Sequence, residues 1–86
     1  MDFEGAVIKE QGVTFAIAIV KRHVLQSSSK ANETIRALQP VFPGIPMVLM
    51  AQDSLGIPTY YGRKDIAKLM ANVPLEAVPW KRYTLR

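Results

Sequence analysis

At 86 residues, 49% of them apolar, and with a net charge of +4, the chain has room for one small domain; it has no cysteine, which excludes disulfide staples, thiolate catalysis and cysteine-held zinc or iron–sulfur sites. A domain of this size buries only about 60–65% of the surface its unfolded chain exposes, so so apolar a chain exceeds what one thin core hides, and a homodimer is expected. The charge is unevenly placed: Lys9, Lys21, Arg22, Lys30 and Arg36 cancel against Asp2, Glu4, Glu10, Glu33 and Asp53, whereas Arg63, Lys64, Lys68, Lys81, Arg82 and Arg86 face only Asp65 and Glu76.

Residues 5–10 read as a short strand and Gln11-Gly12 as a hairpin turn, since glycine supplies the positive φ such turns demand. In the partner strand, residues 13–20, Val13, Phe15, Ile17 and Ile19 share one face while the smaller Thr14, Ala16 and Ala18 share the other. Both faces are apolar enough to be covered, which marks a central strand whose small face admits a helix closely. This is also the longest apolar run; it ends at Lys21-Arg22, far short of the roughly 20 residues that span a bilayer. With an acidic start, Met1-Asp2-Phe3-Glu4, unlike a secretory leader, the expectation is a cytoplasmic protein with no membrane partner.

Ser27-Ser28-Ser29 offers cap hydroxyls to a helix near residues 30–39, with Ala31, Ile35 and Leu38 on one stripe and Pro40 as its stop. After the constrained segment 40–46, the apolar run 47–51 reads as a second buried strand, completing a βαβ unit. Asp53-Ser54-Leu55-Gly56 is a turn that pairs residues 47–51 with 57–61, and Pro58 marks the second arm as an edge. Ile66, Leu69, Met70 and Val73 fall at i, i+3, i+4 and i+7, a helix closed by Pro74, and residues 80–85 are compatible with a last strand. The order β-β-α-β-β-α-β predicts an α/β domain spanning 1–86, one mixed sheet with two helices, either both on one face as an α+β two-layer fold or one on each face.

Gly44-Ile45-Pro46 leading into the 47–51 strand, the Asp53 to Gly56 turn, a second strand and a helix resembles the C-terminal half of a thioredoxin-like fold. There a Gly-Ile-Pro entry with a cis proline precedes a β-hairpin and a final helix. The likeness covers about a third of the chain and implies a shape alone, because the redox Cys-x-x-Cys has no counterpart. Read from the residue itself, Pro46 fixes φ before a strand, with a trans bond expected since cis occurs in roughly 5–6% of X-Pro bonds.

The candidate site is an anion or nucleic-acid surface. Gly62 is read as the N-cap of a helix starting at Arg63, so unpaired N–H groups and the Arg63 and Lys64 cations favour phosphate or carboxylate. Asp65 offers the plainer account, an acid that compensates first-turn cations. Tyr60 and Tyr61 alternate, one toward the core and one toward solvent or a partner; an outward Tyr61 with Lys68, Lys81 and Arg82 gives the stacking and cationic groups that bind nucleic acid. Trp80 reads as a lid over the core. His23 stands alone as a polar residue at a strand end, and no second imidazole or paired carboxylate lies at ligand spacing, so no catalytic residue, metal or cofactor is assigned. The leading expectation is a non-catalytic protein-interaction or self-associating domain with a protein partner or a second copy; the alternative is a nucleic-acid or phosphate-binding module built on the basic C-terminal part.

Overall fold

The computed structural model describes residues 2–85. In chain order it contains β1 (Asp2–Glu10), β2 (Val13–Ile19), a single turn α1 (Arg22–Leu25), α2 (Ser28–Leu38), β3 (Met47–Gln52), β4 (Pro58–Tyr61), α3 (Lys64–Met70) and β5 (Lys81–Thr84). Short 3-10 turns occupy Gln39–Val41 and Leu75–Ala77. The strands form one mixed, open sheet in the order β4-β3-β2-β1-β5, with β2 and β3 parallel and the other neighbours antiparallel.

Parity along β2 dictates the layering. Ala16 and Ala18 face one side with Met47 and Leu49, and there they meet Ala31 and Leu38 of α2 together with Phe42. Three alanines at this junction let the helix sit close to the sheet, as the small face of β2 implies. Phe15 and Ile17 face the other side with Val48 and Met50, against Ile66 and Met70 of α3. The two main helices therefore cover opposite faces, and β2 and β3 are buried from both sides. Burying each of Phe15, Ile17, Leu49 and Met50, all at 0–1% exposure, stabilises the fold by about 1.5–3 kcal/mol.

A second core also absorbs the apolar surplus. Among the described residues, the exposed large hydrophobic side chains are Val7, Leu55 and Ile57. Neither sheet edge invites pairing: β4 is short and begins with Pro58, and β5 is short and carries Lys81 and Arg82.

Local chemistry explains the element ends. Gln11 and Gly12 both take positive φ, 50° and 81°, the two-residue turn whose twist matches a hairpin. Ser27 caps α2 by accepting the Lys30 N–H at 3.3 Å. In the β3–β4 turn, Asp53 Oδ1 accepts the N–H groups of Leu55 and Ile57 at 2.8 and 2.9 Å, and Gly56 sits at φ 81°.

Several expectations need correction. The first strand begins at Asp2 rather than residue 5, because its first residues pair with β5 at the far edge. α2 runs 28–38, starting two residues earlier than expected, since Ser27 alone serves as its cap. His23 lies in α1, a turn with no buried residue and hence no apolar period to betray it. Pro46 is trans, as the residue itself suggested, while the β-hairpin and following helix of the thioredoxin-like resemblance are present.

Candidate functional site

The chain turns from β4 into α3 through Gly62 and Arg63, and both expected roles shift. Arg63 is the N-cap, without a side-chain cap bond, and the helix starts at Lys64. Gly62 is instead required by close approach: at φ 154°, a Cβ there would lie 3.1 Å from Met47 O and 3.3 Å from Val48 Cα, both backbone atoms of β3. The guanidinium of Arg63 turns to Asp65, with Nε to Oδ1 at 3.2 Å and a terminal nitrogen to Oδ2 at 2.7 Å. That hydrogen bond, reinforced by the charge of Arg63, holds the Asp65 carboxyl below the usual carboxylate range and raises the guanidinium further. The cation expected to await an anion is thus already engaged, and α3 is too short to build an anion site from its own N-terminus.

The remaining basic residues do not join it. Lys64 and Lys68 share one exposed stripe of α3, four residues apart. Lys81 and Arg82 lie on β5, at the edge opposite β4, across four interstrand gaps or roughly 19 Å of sheet. Even there they diverge: the Lys81 ammonium sits 5.7 Å from the centre of the Tyr83 ring, while Arg82 leans to the other face, 3.9 Å from Asp2. Among the described residues, the basic side chains of the C-terminal part are therefore divided between α3 and the β5 edge rather than gathered on one surface.

The tyrosines divide differently from expectation. Tyr60 packs with the α3-side core and Tyr61 with the α2-side core, each half-buried. Burial pushes the Tyr60 phenol up. Trp80 does lie over the core, its indole N–H donating to Leu75 O at 3.1 Å and tying the second 3-10 turn to the sheet.

What Tyr61, Gly62 and Arg63 do share is a cleft of about 720 Å³. Its opposite wall is the Asn32, Ile35 and Gln39 side of α2, and its floor is Ile45, Pro46 and Met47. The polar groups of the walls are largely committed within the chain. The Tyr61 hydroxyl donates to Asn32 Oδ1 at 3.1 Å, joining β4 to α2 across the cleft. The Gln39 amide donates to Phe42 O and Ile45 O, both at 2.8 Å, which holds the loop before β3 in place. The result is an open groove with an aliphatic floor, framed by side chains that are already positioned.

Of the residues read from the sequence as an anion or nucleic-acid surface, Tyr61, Gly62 and Arg63 line this cleft, together with Asn32, Gln39 and Ile45, to which the sequence reading gave no site role. Gln39 stands before the helix-stopping Pro40 and Ile45 inside the Gly-Ile-Pro segment, where neither belongs to a local pattern that marks a cleft. A second recess, about 610 Å³, lies between α1, α2 and the start of β1, with Lys21 and His23 at its rim and Phe3 and Leu38 within. No cluster of metal-ligating side chains occurs among the described residues, and no helix among them is long and apolar enough to cross a membrane. No family model, curated protein or solved structure matches the chain.

Proposed function

We propose that this is a non-catalytic interaction domain that takes a segment of a partner polypeptide in the cleft between α2, the 44–46 loop and the end of β4. The observation that carries this reading is the aliphatic floor of Ile45, Pro46 and Met47 beneath walls fixed by the Tyr61–Asn32 and Gln39 hydrogen bonds. A wide groove suits side chains of an extended segment better than a small metabolite, whose sites enclose most of the ligand surface. Pre-set walls reduce the ordering cost of binding. The groove's side chains also favour binding over chemistry: the hydroxyl of Tyr61 is already donated, and the guanidinium of Arg63 stays charged in its pair with Asp65. A partner polypeptide is preferred to a second copy because both edge strands are blunted, β4 by Pro58 and β5 by Lys81 and Arg82.

The test is selection of binding peptides from a random displayed library, followed by amide-shift mapping on labelled protein. The expected result is shifts at Asn32, Ile45, Met47 and Tyr61, lost in Ile45→Asp while the amide spectrum outside the cleft persists. Peptides that map to the Leu55–Ile57 turn or to β5, or failure to select any, would refute it.

A further inference from the structure

The recess between α1, α2 and the start of β1 shares no lining residue with the cleft, and there the fold leaves chemistry unused. Its volume of about 610 Å³ falls within the roughly 300–1,000 Å³ of small-molecule sites. Buried Phe3 and Leu38 close its bottom, and half-buried Val20, Val24 and Thr34 form its walls. The Thr34 hydroxyl is already donated to Lys30 O at 2.8 Å. Lys21 and His23 line the recess from the first turn of α1, and both are exposed. Among the described residues neither side chain has an ion pair or a hydrogen bond, and Lys21 occupies the cap position of α1 without a side-chain cap bond. The one acid of the lining, Asp2, is directed elsewhere. It shares the parity of Ala6 on the α3 side of β1, and its oxygens lie 3.1 Å from the Thr84 hydroxyl and 3.9 Å from Arg82. An apolar hollow thus carries an uncommitted ammonium and imidazole at its mouth, while its own carboxylate turns to the far face.

We propose that this recess binds a small amphipathic carboxylate, with its hydrocarbon tail against Val20, Val24 and Phe3 and its head group on the Lys21 ammonium. The His23 ring N–H is the second donor to the carboxylate. Burial of the tail supplies the affinity, and the cation at the mouth selects the sign of the head group. A neutral alcohol with the same tail forgoes the ion pair, and an ammonium is repelled by Lys21. The site stands apart from the polypeptide cleft, so either reading can fail without the other.

The experiment titrates labelled protein with octanoate, octan-1-ol and octylammonium, each to about 2 mM, where millimolar dissociation constants still register. Amide signals and the His23 ring protons are followed in the parent, in Lys21→Gln and in Lys21→Glu. Lys21 is exposed, and its side chain makes no cap bond, so both variants are expected to keep the parent spectrum away from α1. Octanoate is expected to shift the Val20, Val24, Thr34 and Leu38 amides and the His23 ring, and to bind more tightly than the alcohol or the ammonium. Lys21→Gln should weaken octanoate about three- to fivefold and leave octan-1-ol unchanged, and Lys21→Glu should make octylammonium the tightest of the three. Equal binding of the three ligands in the parent, or octanoate binding unmoved by either Lys21 variant, overturns the carboxylate assignment. Absence of recess shifts from octanoate, or shifts confined to the Ile45–Met47 cleft, overturns the site itself.

Discussion

Replacing Gly62 with alanine tests the physical account of the cleft at its tightest point. Two penalties add. A side chain at φ 154° occupies a backbone region that L residues rarely adopt, which costs about 1–3 kcal/mol. The new methyl also meets Met47 O at 3.1 Å, Val48 Cγ2 at 3.2 Å and Val48 Cα at 3.3 Å. β3 is paired on both sides, so its backbone yields little, and crowding of this kind adds about 1 kcal/mol or more. Against this, alanine restricts the unfolded chain and returns about 0.4–1 kcal/mol. The net expectation is a loss of about 2–3 kcal/mol, or roughly 10–20 °C in Tm for a domain of this length. Urea unfolding measures it, with an unchanged m-value as the sign that only stability has moved. Gly12→Ala is the control: φ is 81° but nothing lies within 4 Å of the added Cβ, so it carries the backbone penalty alone. Gly62→Ala should be the more damaging of the two by about 1 kcal/mol, since crowding separates them. A Gly62→Ala protein as stable as the parent would show that the close approach of β4 to β3 is not what requires glycine here.

Gly5→Ala should also destabilise, by about 1–3 kcal/mol in the same assay, because its Cβ would fall 2.7 Å from Ile17 O in the central strand and 3.3 Å from the Phe3 ring. Asp53→Ala removes the acceptor of two turn N–H groups and should cost about 1–2 kcal/mol, with the Leu55 and Ile57 amides exchanging with solvent faster. The Asp65 carboxyl, held low by Arg63, favours the folded state at neutral pH; that contribution is complete above roughly pH 4 and disappears as the pH falls through its depressed native value. A carboxyl-carbon NMR titration should show Asp65 ionising below the ordinary range and moving up in Arg63→Ala.

The parts of the fold that were legible in the sequence are those a single element can encode. The alternation of large and small residues in β2 specified two covered faces, Pro58 specified an edge, and Ile66, Leu69 and Met70 specified the inward stripe of α3, although the helix ends at Met70 and Val73 packs on the same core from the turn beyond it. What escaped depended on partners remote in sequence. α1 is one turn long with half-buried Val24 and Leu25, too short for a period to register. β5 buries little beyond Tyr83, which joins Phe3 and Phe42 in an aromatic cluster with ring centres 4.9–6.1 Å apart, so its alternation is weak because the charged Lys81 and Arg82 fill the rest of an edge. The candidate basic site failed as one surface for the same reason: Lys64 and Lys81 are near in sequence, but the chain crosses the full width of the sheet between them.

That crossing also bears on what the excess charge does. A cationic groove for nucleic acid needs its cations on one track, so that several phosphates are neutralised together. Here the route from β4 over the α3-side face to β5 divides Arg63, Lys64 and Lys68 from Lys81 and Arg82, and two of these five have carboxylates beside them, Arg63 with Asp65 and Arg82 with Asp2. Charge that looks segregated along the chain is thus redistributed by the sheet.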